Sequence, residues 1–303
     1  MLGKIKASVV VALCGTVLGA GLVGCDGALA DWDPFASETR KAEAEPISGT
    51  KKIDVGGRSV NVSCAGGAAK GKPVIVLMPG LGDGLDKMAA LQNTLSRKNR
   101  VCSYDRLGEG ASDQPDGPQS FSSTGKVLTG VLDRVAGDRP VVLAGHSLGG
   151  LIAARYAPDH QDRVKGLVLM DATSPTMVGD VTKVIPESAT GPAAQLRAQN
   201  IAVFQGQNPE KLVIADAQVR SAGRIPVEVI QHGKPYLAAV PQYGPRLEQA
   251  WSAGQRKWLA VSSRSKLSTA TKSEHYIYVD QPDVAVRAIE RVTSQAARKA
   301  NGG

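Results

Sequence analysis

A chain of 303 residues has room for one large globular domain or two small ones. With 42% hydrophobic and 21% charged residues it falls in the ordinary globular range, so disorder is not the default, and aromatics at 4% leave Val, Ile, Leu and Ala to build the core. The net charge of +8 would suit nucleic acid or an anionic surface, yet Lys and Arg are scattered in runs no longer than two, so the clustered basic footprint of a nucleic-acid binder is missing.

The first element is a targeting segment. Lys4 and Lys6 form a positive head, and the uncharged stretch 7–23 is rich in small residues. This reads as a signal peptide over residues 1–24, and the stretch is short for a membrane span, which needs about 20 apolar residues. Its end, Leu22-Val23-Gly24-Cys25, resembles the lipobox of bacterial lipoproteins. That resemblance implies a lipid on Cys25 as first mature residue, and a membrane-tethered place outside the cytoplasm. Residues 25–48 are polar and without periodicity, and read as a tether. Cys14 would leave with the signal and Cys25 would carry lipid, so Cys64 and Cys102 remain as one pair in an oxidising compartment.

From residue 49 to about 300 the chain reads as one domain. "KKIDVGG" and "RSVNVSCAG" predict a hairpin turning at Gly56-Gly57. "PVIVLMPG" (73–80), "RVCSYDR" (100–106), "PVVLAGHS" (140–147), "VKGLVLMD" (164–171) and "IPVEVIQHG" (225–233) are almost continuously apolar, as expected of parallel strands buried on both faces. Helical stretches at 86–98, 123–136 and 148–157 alternate with them, which predicts an α/β doubly wound sheet. Residues 172–224 break this rhythm, with helical pieces expected at 192–204 and 208–222. They read as an inserted helical lid.

Gly145-His146-Ser147-Leu148-Gly149 is a G-x-S-x-G motif placed between a buried strand and a helix beginning "LGGLIAARYA". Such a tight strand-to-helix turn lifts the serine oxygen above the sheet, and small neighbours let the backbone pack beneath it. The helix N-terminus adds free N–H groups and a positive dipole end. Ser147 is therefore the candidate nucleophile.

Strand, motif and helix together resemble the α/β-hydrolase family, over nearly all of residues 50–298. Asp105-Arg106-Leu107-Gly108-Glu109-Gly110-Ala111-Ser112 resembles the family's D-x-x-G-x-G-x-S loop after the fourth strand. Pro79-Gly80-Leu81-Gly82 falls where the family has its oxyanion loop. The resemblance implies an eight-stranded, mostly parallel sheet flanked by helices. It also implies an oxyanion hole from the backbone N–H groups of Leu81 and Leu148. Because the family's second and fourth strands are neighbours, it further implies a disulfide between Cys64 and Cys102.

There are four histidines: His146, His160, His232 and His275. His146 sits inside the elbow and His160 in the polar "PDHQDR", which reads as solvent-exposed. His275, between a strand-like run and a terminal helix, resembles the family's S-G-H segment with Glu274 in place of the glycine. It is the expected general base. The acid is not where most family members carry it, since 229–247 holds no Asp or Glu and His232 stands there instead. A subset of the family places the acid at the end of the sixth strand, which selects Asp171 in "VLMDATSP". Glu228, inside the seventh strand, and Asp280 and Asp283, at the start of the last helix, stay open as alternatives.

A serine nucleophile points to acyl transfer through an acyl-enzyme, with a small-molecule or lipid ester as substrate. No metal-ligand cluster or nucleotide loop is present in the sequence, so no cofactor is expected. Two other readings share these residues: a cofactor-free perhydrolase, and a binding lipoprotein that has lost catalysis.

Overall fold

The computed structural model describes residues 46–67 and 71–300. The expected signal peptide, the lipid-bearing Cys25 and most of the tether lie outside the described residues. No helix among those described is long and apolar enough to cross a membrane.

One eight-stranded sheet runs in the order β1-β2-β4-β3-β5-β6-β7-β8. Its strands are β1 (Gly49–Val55), β2 (Arg58–Ala65), β3 (Val74–Met78), β4 (Val101–Tyr104), β5 (Val141–His146), β6 (Val164–Met170), β7 (Val227–His232) and β8 (Ser265–Ala270). β2 pairs antiparallel with β1 and β4, and every later pairing is parallel. Gly56 and Gly57 make the β1–β2 turn at φ 60° and 78°, a region that favours glycine. Cys64 and Cys102 face each other across β2 and β4 and form a disulfide.

The continuous apolar runs reflect burial on both sheet faces. Along β3, Val74, Val76 and Met78 join one core while Ile75 and Leu77 join the other; β5 divides Val141 and Leu143 from Val142 and Ala144 in the same way. The first face is covered by α2 (Phe121–Ala136) and α3 (Leu148–Tyr156), through Leu128, Leu132, Leu151 and Ile152. The second is covered by α1 (Ala89–Ser96) and by the last helix, α8 (Pro282–Ala300), which follows the single-turn α7 (Ile277–Asp280); they contribute Leu91, Leu95, Ile289 and Val292. Each fully buried Leu, Ile or Val contributes about 1.5–3 kcal/mol of transfer free energy. Helix α2 starts cleanly because Ser120 and Ser123 cap each other's backbone N–H groups.

Between β6 and β7 the chain inserts α4 (Met177–Val184) and α5 (Gly191–Phe204). These pack with α6 (Gly244–Lys257) around a small separate core of Ile185, Ala193, Tyr243 and Leu247. The expected helix at 208–222 does not form. Asn208 ties the segment into a turn, its side chain bonding Val203 O, Leu212 O and Leu212 N–H. Lys211 and Val213 then pair with the backbone of Gln119 at 2.8 and 2.9 Å. His160 also departs from expectation: it is half-buried, stacked on Tyr156 at 3.7 Å between ring centroids.

Candidate active site

Ser147 stands at the end of β5, at φ 49° and ψ −119°, a strained conformation for a non-glycine residue. The flanking glycines are required by contact. A Cβ on Gly145 would lie 2.5 Å from the backbone of Gly149 and Gly150, and one on Gly149 would lie 2.3 Å from Met78 O. Ser147 N–H donates to Met170 O at 3.1 Å, and Ser147 O accepts from Thr173 N–H at 3.0 Å. The serine turn is thereby tied to the end of β6. Its Oγ lies 3.5 Å from Thr173 Oγ1.

Asp171 follows β6 directly, also in the left-handed region at φ 44°, with its N–H bound to Ile230 O at 2.7 Å. Its carboxylate is fully buried. His275 Nδ1 reaches Asp171 Oδ2 at 2.7 Å, and His275 lines the same cavity as Ser147. Burial pushes the Asp171 pKa up, but hydrogen bonds from His232 and His275 and their charges outweigh it and bring it down to about 2. Asp171 is thus an ionised acceptor at working pH. With Nδ1 committed to Asp171, His275 keeps Nε2 for a proton acceptor's role.

The other acid candidates are occupied elsewhere. Glu228 pairs with Arg291 of α8, the closer contact at 2.5 Å. Asp280 accepts from Glu274 N–H at 2.8 Å, and Asp283 pairs with Arg287 one turn on. His146 packs on His275, ring centroids 4.5 Å apart, and its Nε2 lies 3.0 Å from His275 O. Burial first, and the His275 charge second, push His146 down to about 3, so it is a neutral imidazole and its Nε2–H donates to that carbonyl.

The loop after β3 is held from two sides. Arg106 donates to Pro79 O at 2.6 Å and Gly80 O at 2.8 Å, while Glu109 Oε1 accepts from Gly82 N–H at 2.7 Å. Arg106 is buried and forms a forked pair with Glu210 at 2.9 and 2.7 Å. Since Glu210 belongs to the insertion, this pair also fastens the insertion to the sheet. Gly108 allows the close approach, because a Cβ there would stand 2.1 Å from Pro209 O. Leu81 and Leu148 both border the cavity at Ser147.

That cavity has a volume of about 290 Å³. Its wall is mostly apolar, with Met177, Val181, Leu196, Phe204 and Ile214 from the insertion and Trp251 from α6. Among the described residues no group of three or more His, Cys, Asp or Glu could hold a metal ion.

Two residues of this site, Glu248 and Trp251, were not legible in the sequence, nor were the contacts of a third, His232. His232 Nδ1 lies 2.9 Å from both Asp171 oxygens, Trp251 Nε1 donates to Asp171 Oδ1 at 2.9 Å, and Glu248 Oε2 meets His232 Nε2 at 2.8 Å. The signal was the helix face on α6. Glu248, Trp251 and Gln255 stand at i, i+3 and i+7, and Gln255 Nε2 donates to Ala172 O at 2.7 Å. His232 was visible as the residue standing at the vacated acid position.

The sheet order, the strained serine and the insertion after β6 define an α/β-hydrolase fold. A family model described as alpha/beta hydrolase fold matches residues 73–207. Among curated proteins the chain is similar to the putative carbamate hydrolase RutD of Azorhizobium caulinodans, at 30% identity over 43% of this chain and 50% of that one. It is also similar to the human (lyso)-N-acylphosphatidylethanolamine lipase, at 30% identity over 32% of this chain and 29% of that one. The chain thus spans half or less of the length of these curated relatives. Among solved structures, the enol-lactonase from Burkholderia xenovorans LB400 superposes with a TM-score of 0.56 at 20% identity, over 80% of this chain and 100% of that one.

Proposed function

We propose that this chain is a serine hydrolase that cleaves a carboxylic ester with an apolar acyl group through an acyl-enzyme on Ser147. The observation that carries the reading is the meeting of two features on one apolar cavity: the strained Ser147 turn and the 2.7 Å His275–Asp171 pair. The relatives' names, a carbamate hydrolase, a lipase and an enol-lactonase, lend weight to hydrolysis without agreeing on a substrate.

In this reading Ser147 Oγ attacks the ester carbonyl while His275 Nε2 takes its proton. Asp171 holds the imidazole in the tautomer that leaves Nε2 free and stabilises the imidazolium. The N–H groups of Leu81 and Leu148 receive the oxyanion; the loss of one such donor typically costs about 10²–10³ in turnover. His275 then returns the proton to the leaving alcohol, and water repeats the sequence on the acyl-enzyme. The Ser147 hydroxyl, now beside Thr173, turns toward His275 when substrate enters, a tightening common on substrate binding. The roughly 290 Å³ cavity suits a medium acyl chain or a compact ring.

The place of action completes the proposal: a lipid on Cys25 tethers the enzyme outside the cytoplasm. Nitrophenyl esters of graded acyl length test the chemistry. The expected result is hydrolysis by the wild type that rises with chain length, fills the cavity and then falls, with Ser147→Ala at background. Hydrolysis unchanged by Ser147→Ala would sink the reading. Incorporation of a fatty-acid analogue by the full chain, lost in Cys25→Ser, tests the anchor.

A further inference from the structure

His232 stands between two carboxylates, and its hydrogen-bond inventory dictates its charge. A neutral imidazole carries one N–H, whereas Nδ1 here meets Asp171 at 2.9 Å and Nε2 meets Glu248 at 2.8 Å. Ionised carboxylates only accept. Asp171 already accepts from His275 Nδ1, Trp251 Nε1 and His232 N–H at 2.7, 2.9 and 3.1 Å. Glu248 Oε1 accepts from the N–H groups of Leu237 at 2.6 Å and Ala238 at 3.3 Å. Both carboxylates are therefore set as acceptors, and both His232 contacts are satisfied when the ring carries two protons.

The surroundings agree. Asp171 faces the ring from the end of β6, Glu248 and Trp251 face it from α6, and Tyr236 packs edge-on at 4.8 Å between centroids. His275 lies beyond Asp171. Among the described residues the charged groups in direct contact are the two acids, and the Tyr236 phenol is pushed well above its usual range by burial and then by those same charges. For His232, burial opposes the charge, but the bonds and charges of Asp171 and Glu248 prevail and raise its pKa.

The far end of this chain of contacts is the cavity wall. The two N–H groups that Glu248 holds belong to the short 3-10 helix Tyr236–Ala239, and Tyr236 and Leu237 line the cavity with His275. The Tyr236 hydroxyl is 3.5 Å from His275 Nδ1. One line of contacts thus runs from the base through Asp171, His232 and Glu248 to the backbone of the wall.

We propose that His232, as an imidazolium, and Glu248 are positioning residues for the Ser147 reaction: together they fix the Asp171 carboxylate under His275 and hold the 236–239 wall against the substrate cavity. Loss of the His232 proton at alkaline pH breaks one of the two links and lowers turnover. This rests on the hydrolase reading above.

The test compares the pH dependence of ester turnover in wild type, Glu248→Gln and His232→Gln, with fluorophosphonate labelling of Ser147 as a parallel readout. A glutamine at 248 keeps the shape but removes the charge that holds the His232 proton. The expected result is an alkaline limb displaced toward neutral pH by at least one unit, with kcat reduced about tenfold at pH 8 and KM raised by the loosened wall. His232→Gln should abolish that limb altogether. Nitrogen-15 NMR of histidine-labelled wild type tests the charge without any variant: at pH 7.5 both His232 nitrogens should show imidazolium shifts. A neutral-tautomer pattern overturns the proposal, as do superimposable pH profiles for wild type and Glu248→Gln. If wild-type Ser147 fails to label, it is the hydrolase reading that falls, and the NMR result still decides the charge of His232.

Discussion

The two ends of the candidate active-site cleft are built on different principles. At the serine end, position comes from the backbone: a residue at φ 49°, two glycines that leave no room for a Cβ, and the start of α3. At the acid end, position comes from side chains that meet only after folding, brought by β6, β7, α6 and the segment before α8. The lesson is that a candidate nucleophile can be specified within five consecutive residues, whereas the candidate acid is placed by a network spread over 104 positions. Damage should accordingly be local and absolute at one end, and graded at the other.

The largest effect that sharpens this contrast is at Asp171. Asn there keeps the shape but favours the wrong His275 tautomer, so turnover should fall about 10³–10⁴-fold with the fold intact, read by ester kinetics beside a thermal melt. The Cys64–Cys102 bridge lies outside both ends and closes a loop of 38 residues. Replacing both cysteines by serine should lower unfolding free energy by about 4 kcal/mol in the chain-entropy model, with kcat unchanged, as denaturant melts would report.

Next comes the clamp that joins the insertion to the sheet. Glu210→Gln leaves Arg106 buried without a countercharge, which should cost about 3 kcal/mol of stability, reduced from a full deletion by the remaining amide hydrogen bond. A cost near zero would mean that the insertion is not fastened there.

The smallest expected effect is at Glu109. Burial first, then the charge of Glu210, raise its pKa to about 7 despite the Gly82 N–H bond. A carboxyl raised in the folded state binds its proton more tightly than in the unfolded chain. Wild-type stability should therefore lose ground to Glu109→Gln as pH rises from about 4.5 to 7, and the gap should be constant beyond both limits. Urea melts across that range check the sign.

Much of this was readable before folding because it depends on local patterns. The buried strands declared themselves by unbroken apolar runs, and the serine turn by its glycines. Asp171 was singled out because 229–247 holds no Asp or Glu and the family resemblance offers the end of the sixth strand instead. What could not be read is tertiary in origin. Residues 208–222 have the composition of a helix, yet Asn208 closes a turn on its neighbours and Glu210 is drawn to Arg106, 104 residues away. His232 was noticed only as an occupant of the vacated position, since its meaning depends on Glu248 and Trp251 arriving on one face of α6. A helix face gains functional sense only once its partner is known.

The central claim is that the acid of this cleft stands at the end of β6. Fluorophosphonate labelling of the protein lacking residues 1–24, with the adduct located by mass spectrometry, tests it most directly when wild type, Asp171→Asn and Glu228→Gln are run together. The account predicts rapid labelling at Ser147 in wild type and Glu228→Gln, and labelling slowed by orders of magnitude in Asp171→Asn. Wild-type rates in Asp171→Asn, with a slow Glu228→Gln, would contradict it.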